Sequence, residues 1–417
     1  MIRAFPKLAP TSFFTLFSAL HSFIIGLLPF YLPILIWQQN AQLALLTEFI
    51  AWTGIGFVIA LFGWHKLFSL GYWRSLIMLS FIFELSLIYL AVFHLDTINL
   101  NTVNLLFFGI LNGLFNCSYW MLQRVLFNAL SDTKNSGRLF GNLQLILGLS
   151  LKLGILLGGY FMQLQPELIF LLSLVIAVWF CAMSLSSLTA QQFSALTTHD
   201  KTDNNKTPVH QLQVNTKLSV RDKIVFIVDG PFLYLESYLW ILSIFHLSNN
   251  DTGQFSLTII ALSVALGIIF YFIKNTIDKQ SQYRLYQIAT VLYICGWVLR
   301  GWVTPQWSGL AISLTLLSVA FVTALFRLYF NKRFFDKAKQ QASYHYLFSK
   351  SMYSQIGVCL FFALLTLALR HNHITLSAIY WLILPMTLVY MLYQQYVEQG
   401  NGNLPRHNAE PNEDPAP

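Results

Sequence analysis

Apolar and polar positions along this chain fall into long blocks, with neither the helical nor the strand period dominating. A helix needs about 20 mostly apolar residues to cross a bilayer. Blocks of that kind lie near 12–37, 43–63, 75–95, 103–127, 139–162 and 167–188, and again near 223–247, 253–273, 285–303, 308–330, 350–370 and 376–396. They are continuously apolar, so they predict spanning helices rather than barrel strands. Between the sixth and seventh lies the one long polar stretch, Gln191 to Lys223, with four lysines and one arginine against three aspartates. The expected organisation is a six-span unit over 1–190, a polar linker over 191–222 and a second six-span unit over 223–400. A tail over 401–417, rich in Pro, Asn and acid, is expected to be disordered.

Composition agrees with an all-α polytopic membrane protein. Apolar residues make up 56% of the 417 and charged residues only 10%, whereas a soluble domain carries roughly 25% charged residues. The 36 phenylalanines suit lipid contact and interfacial belts. The net charge of +8 carries no nucleic-acid signal, because the basic residues segregate by loop. With a cytoplasmic N-terminus, the inner loops hold Lys66 and Arg74, Lys134 and Arg138, the central cluster, Lys274, Lys279 and Arg284, and Lys332, Arg333, Lys337 and Lys339. The outer loops (38–42, 96–102, 163–166, 248–252, 304–307, 371–375) hold no Lys or Arg, although Arg370 borders the last. Such a bias puts both termini in the cytoplasm and requires an even number of spans.

The run from Phe13 to Trp37 is too long for a signal-peptide core and ends without a small-residue cleavage site, so it reads as a retained first span. Cys117, Cys181, Cys295 and Cys359 fall within apolar blocks and form no CxxC, which argues against a disulfide framework or a zinc site. The chain has no GxxxxGK[ST], no GxGxxG after a strand and no HExxH. Nothing therefore points to ATP hydrolysis, to a cofactor or metal, or to an enzyme.

The two halves echo each other. Arg124-Val-Leu-Phe-Asn128 matches Arg327-Leu-Tyr-Phe-Asn331, and Tyr31-Leu32 with Trp37 matches Tyr234-Leu235 with Trp240, both at an offset of 203 residues. Pro29-Phe30 and Pro231-Phe232 agree within one residue. A shared register favours duplication of a six-span unit. Two such units joined by a cytoplasmic loop resemble the major facilitator superfamily. The loop Gly63-Trp-His-Lys66-Leu-Phe-Ser-Leu-Gly71-Tyr-Trp-Arg74 is similar to that superfamily's signature between spans 2 and 3, without its aspartate and with one extra residue. Asp278-Lys279 with Arg284 after span 8 is a second partial match. Gly154-Ile-Leu-Leu-Gly158-Gly159 in span 5 resembles the antiporter glycine motif, without its proline. The resemblance implies twelve transmembrane helices in two pseudo-symmetric six-helix bundles, working as a monomer by alternating access.

Charges within spans carry the chemistry, because lipid tolerates them only beside a cavity or a partner. Asp229 and Glu236 in span 7 are seven residues apart, hence on one helix face, about 10 Å apart along the axis. They are candidates for proton coupling; the alternative is that each neutralises a base on a neighbouring helix. Lys152, mid-way through span 5, needs an acid, water or an anionic solute. Arg124 and Arg327 either pair with loop acids such as Asp132 and Asp336 or grip an anionic group. In span 4, Asn112, Asn116, Tyr119 and Gln123 follow a three-or-four spacing and share a face, which suits a solute or interhelical hydrogen bonds. Glu84 reads as half of an interhelical pair, Arg300 as interfacial, and His21, His371 and His373 as structural or solvated.

The expected function is a secondary active transporter of the bacterial inner membrane that moves a small polar, anionic or zwitterionic organic solute with protons. Lys152, Arg124 and Arg327, with Asn116, Tyr119 and Gln123, are the candidate solute-binding residues; Glu236 and Asp229 are the candidate proton carriers. The expected partners are the solute, protons and the lipid bilayer, without nucleic acid. A proton-driven exporter of drugs or lipophilic compounds is a second reading. A non-transporting sensor and a lipid-modifying membrane enzyme are the other two.

Overall fold

The computed structural model describes residues 9–94, 102–130, 136–187, 218–273, 282–340 and 343–393. The linker up to Lys217, the tail, and Asp132, Lys134, Lys274, Asp278 and Lys279 lie outside the described residues.

Every regular element among them is helical. Span 1 is Pro10–Leu27, continued after a break by a 3₁₀ turn Pro29–Tyr31 and the helix Leu32–Asn40. The break is at Leu28 (φ −146°), where Pro29 has no N–H to give the helical ladder. Spans 2 to 6 are Leu43–Ser69, Trp73–Phe93, Thr102–Leu130, Ser136–Leu164 and Glu167–Ser187. Span 7 is Val220–Tyr234, a π-helical turn Leu235–Leu239 and Trp240–Leu247. Spans 8 to 11 are Thr252–Ile273, Gln282–Trp302, Gly309–Gln340 and Ser343–His371; span 12 is Leu376–Ile383 with a 3₁₀ continuation Leu384–Val389.

Eleven of these helices are long and apolar enough to cross a membrane. The other, span 9, has 21 residues, or about 30 Å of helix, and carries Arg284, Gln287 and Arg300 within that length. The chain is a multi-pass membrane protein.

The two halves repeat one packing device. In the first, span 1 crosses span 5 where Gly26 meets Gly154: a Cβ on Gly154 would overlap the carbonyl of Phe23, and one on Gly26 the carbonyl of Leu151. In the second, span 7 crosses span 11 at Gly230 and Gly357, where added Cβ atoms would overlap the carbonyls of Ser354 and Ile227. Gly154 and Gly357 are again 203 apart, and Gly26 and Gly230 are 204 apart. Small residues allow backbones to touch, and the packing this permits helps helices to associate in lipid. Pro231 supports the second crossing, because its missing N–H leaves the Ile227 carbonyl without a helical donor where Gly357 comes close.

One element is longer than the hydrophobic pattern predicts. Span 10 continues through Lys332, Arg333, Lys337 and Lys339, which the pattern assigns to a loop. Local partners make this extension stable. Lys337 Nζ donates to both oxygens of Asp222 at 2.7 Å, and Arg333 lies 4.4 Å over the Tyr286 ring. Asp222 is itself in the first turn of span 7, whose N-cap Ser219 accepts from its N–H at 3.1 Å. Span 7 thus starts at Val220, inside the stretch expected to be linker.

The halves meet along spans 2 and 11, which run antiparallel. Arg370 donates to Glu48 at 2.6 Å near one end, Gly54 abuts Cys359 midway, and His65 bonds the Tyr344 hydroxyl at 2.7 Å near the other. On the opposite flank Tyr31 bonds Ser256 at 3.0 Å, and the Trp37 ring meets His246 at 5.1 Å. Phe127 and Phe335, at 4.5 Å, meet near the C-terminal ends of spans 4 and 10.

Replacing Gly154 or Gly357 by Leu is expected to destabilise the fold by about 1–3 kcal/mol through overpacking, which lowers the unfolding temperature in detergent by several degrees. Gly148→Ala and Gly267→Ala, where nothing lies within 4 Å of the added carbon, are the controls. Equal stability of Gly357→Leu and Gly267→Ala would remove the close-crossing argument.

Candidate functional site

A charged cluster lies inside the second half, built from spans 7, 9, 10, 11 and 12. Arg327, on span 10, spreads its guanidinium between the two carboxylates of span 7: Nη1 meets Asp229 Oδ1 at 2.5 Å and Nε meets Glu236 Oε2 at 2.9 Å. Lys350, on span 11, pairs with the other oxygen of Asp229 at 3.1 Å. Tyr390 of span 12 donates to Asp229 at 2.9 Å, and Tyr293 of span 9 donates to Glu236. Two carboxylates and two bases make the quartet formally neutral.

Its members differ in exposure. Asp229 is fully enclosed and Lys350 nearly so, whereas Arg327 and Glu236 keep 14% and 13% of their side-chain surface accessible. Glu236 also sits on the π-helical turn, where the extra backbone residue per turn loosens the ladder. It is the acidic member that both touches accessible space and rides on a deformable segment.

The first half reaches this cluster through Arg124. Its Nη1 donates to Ser351 Oγ at 2.8 Å, across the boundary between the halves and next in sequence to Lys350. Arg124 and Arg327 thus occupy equivalent helix positions but differ in partners: one holds a neutral hydroxyl, the other two carboxylates. Of the alternatives for Arg327, a loop acid such as Asp336 or an anionic group, the structure shows neither: Asp229 and Glu236 hold it, because seven residues along span 7 spread the two acids to either end of one guanidinium.

The polar face of span 4 divides. Asn112 donates to Tyr238 of span 7 at 3.0 Å and to Thr53 at 3.1 Å, Asn116 donates to Asn112 Oδ1 at 3.1 Å, and Trp120 donates to Asn116 at 3.2 Å. This chain reaches the boundary between the halves. Tyr119, fully buried, and Gln123, buried and bonded to it at 3.2 Å, turn into the first half beside His21. They face no open surface in this conformation. Lys152 on span 5 is partly accessible and has no ion-pair partner among the described residues.

Three further intramembrane groups find their places. Glu84 and His21 form a fully buried pair at 2.7 Å between spans 3 and 1, with Ser80 on the other ring nitrogen at 3.1 Å. Arg300, expected to be interfacial, is buried: Nη2 donates to Thr323 at 2.6 Å and the guanidinium lies 4.3 Å over Trp297. His371 and His373 are exposed. The residue missed altogether is Lys350. A span boundary drawn at 350 places it at the membrane surface, whereas span 11 begins at Ser343 and carries it two turns inward.

No protein-family profile and no curated protein sequence matches the chain. Solved structures do. A D-xylose–proton symporter superposes with a TM-score of 0.64 at 13% identity, over 92% of this chain and 95% of its own. A nucleoside transporter gives 0.62 at 13% identity, over 95% and 100%. The human organic anion transporter gives 0.56 at 12% identity, over 92% and 98%. The likeness is one of architecture, and the chain has the major facilitator fold.

Removing one member of a buried ion network leaves its partners' charge unpaired, at a cost of about 3–5 kcal/mol. Asp229→Asn is expected to destabilise by that order, and Glu236→Gln by less, since Glu236 is partly accessible. Thermal unfolding in detergent reads both. Equal losses would contradict the division of the cluster into an enclosed anchor and an accessible acid.

Proposed function

We propose that this protein is a secondary active transporter that carries a small polar solute with at least one anionic group, coupled to protons, by alternating exposure between its two halves. The observation that carries the reading is the cluster just described: a neutral quartet with an enclosed anchor, Asp229, and an accessible acid, Glu236, on a π-helical turn, which the first half approaches through Arg124 on Ser351 and Asn112 on Tyr238. Buried charges of this kind are kept in membrane proteins mainly where ions or protons move. The solved structures it resembles include symporters and an organic anion transporter, which supports the class of activity.

In this reading Asp229 anchors Arg327 and Lys350, and Glu236 exchanges its proton with the space between the halves. Protonating Glu236 leaves Arg327 with one carboxylate instead of two and frees an N–H for an anionic solute. Arg124 and Lys152, neither of which has a carboxylate partner among the described residues, supply positive charge from the first half. Asn116 lies at the same boundary; Tyr119 and Gln123 support the helix that presents it. The surplus of cations favours an anionic or zwitterionic solute over the lipophilic compounds of the exporter reading. The segregation of Lys and Arg between the loops supports cytoplasmic termini, and in this reading the membrane is a bacterial inner membrane.

The test compares metabolites in cells and medium between a deletion strain and an overexpressing one. A carboxylate- or phosphate-bearing solute is expected to move in opposite directions in the two strains. With that solute in proteoliposomes, Glu236→Gln should abolish accumulation driven by a pH gradient while leaving solute exchange at equal pH. Gradient-driven accumulation that survives Glu236→Gln would refute the coupling assignment.

A further inference from the structure

Span 9 carries a second cation, Arg300, that the quartet does not use. It is 2% exposed, and among the described residues only its Nη2 has a hydrogen-bond partner, the Thr323 hydroxyl at 2.6 Å. Its Nε and Nη1 are buried without one. So is Nε1 of Trp297, a fully buried indole three residues earlier whose ring lies 4.3 Å from the guanidinium carbon. Three N–H donors and one positive charge therefore share a turn of helix with no acceptor assigned to them. No carboxylate lies within ion-pair distance of Arg300 among the described residues; Glu236 acts on it only from further off and is itself engaged by Arg327 and Tyr293, and a buried guanidinium so weakly compensated is costly in a membrane protein.

The surroundings define what fits. The guanidinium carbon lies 4.3 Å from the Trp297 ring centre and 5.2 Å from that of Trp240, and neither ring face offers its N–H groups an oxygen acceptor. The nearby hydroxyls are engaged: Tyr380 with Ser243 at 2.7 Å, and Thr323 as donor to the Val319 carbonyl at 2.7 Å. Trp240 is one helical turn along span 7 from Glu236, and Tyr293, which holds Glu236, is seven residues before Arg300 on the same face of span 9. Helical side chains lean towards their own N-terminus, so Arg300 reaches from near the end of span 9 towards Tyr293.

We propose that Arg300 and Trp297 form a carboxylate-binding site in the second half, one turn of span 7 from Glu236, which receives the anionic group of the solute. The occupant's identity rests on the transport reading above; the site's existence does not. Charge selects the class. The quartet is neutral, so one monoanion balances Arg300, whereas a phosphate dianion would leave an uncompensated charge. Arg300 lies two residues from the end of span 9, so the anion enters from the face opposite the termini, as the Trp37–His246 and Glu48–Arg370 contacts part.

The experiment uses the purified full-length protein in detergent, with acetate as probe and chloride at equal ionic strength as control. Acetate is expected to raise the unfolding temperature saturably beyond chloride. Arg300→Gln should weaken the apparent acetate affinity about tenfold or more, and Trp297→Phe about fivefold, as expected for losing charged and neutral hydrogen bonds. Arg300→Lys, which keeps the charge and loses the two edge donors, gives an intermediate loss and covers the case in which Arg300→Gln does not fold. Equal responses to acetate and chloride, or equal acetate responses in wild type and the Arg300 variants, overturn the site. A response to inorganic phosphate matching that to acetate overturns the monocarboxylate class. Acetate binding that depends on Arg300 in a protein that moves no anionic solute leaves the site standing and removes the transport reading instead.

Discussion

Asp229 has no exposed side-chain surface, and each of its oxygens faces a cation from a different helix, Arg327 at 2.5 Å and Lys350 at 3.1 Å. In a low-dielectric interior such a carboxylate is tolerable only while both partners stay in place. Spans 7, 10 and 11 are thereby held to one another at mid-membrane by charge, and the glycine crossing at Gly230 and Gly357 brings spans 7 and 11 close enough for the contact. Close packing and ion pairing depend on each other here. Without the crossing Lys350 would lose Asp229, and without the ion pair the crossing would bury two unpaired charges.

The two halves share that crossing but not its chemistry. Gly154 meets Gly26 in the first half as Gly357 meets Gly230 in the second, yet only the second surrounds the crossing with a neutral quartet. The first half keeps a separate buried pair, His21 with Glu84, away from the boundary. The scaffold is shared, and the two halves differ in which charges each bears. The second half thus holds the enclosed quartet, and the first reaches it through Arg124 on Ser351.

Much of this was legible in the chain because a bilayer imposes simple rules. Continuous apolar runs had to be spans, and the 203-residue offset reappears as equivalent helix crossings. The intramembrane acids Asp229 and Glu236 stood out for the same reason: lipid makes any such residue conspicuous. Lys350 did not, because hydropathy ends span 11 at the point where polar residues begin, while the helix runs on for seven more. Lys337 was misplaced in the same way, since its partner Asp222 lies 115 residues away and no local pattern announces it.

The sequence alone therefore determined the spans, the repeat and which residues carry charge in the membrane, since each follows from the cost of exposing polar groups to lipid, which acts residue by residue. Only the tertiary structure decided the partners. Whether Arg327 would meet Asp336 or Asp229, whether Arg300 would sit at the interface or beneath two tryptophans, and which half Tyr119 would face depend on how helices distant in sequence rotate against one another. That rotation is set by close packing at a few glycines and by the pairing of buried charges, both properties of pairs of helices rather than of any one.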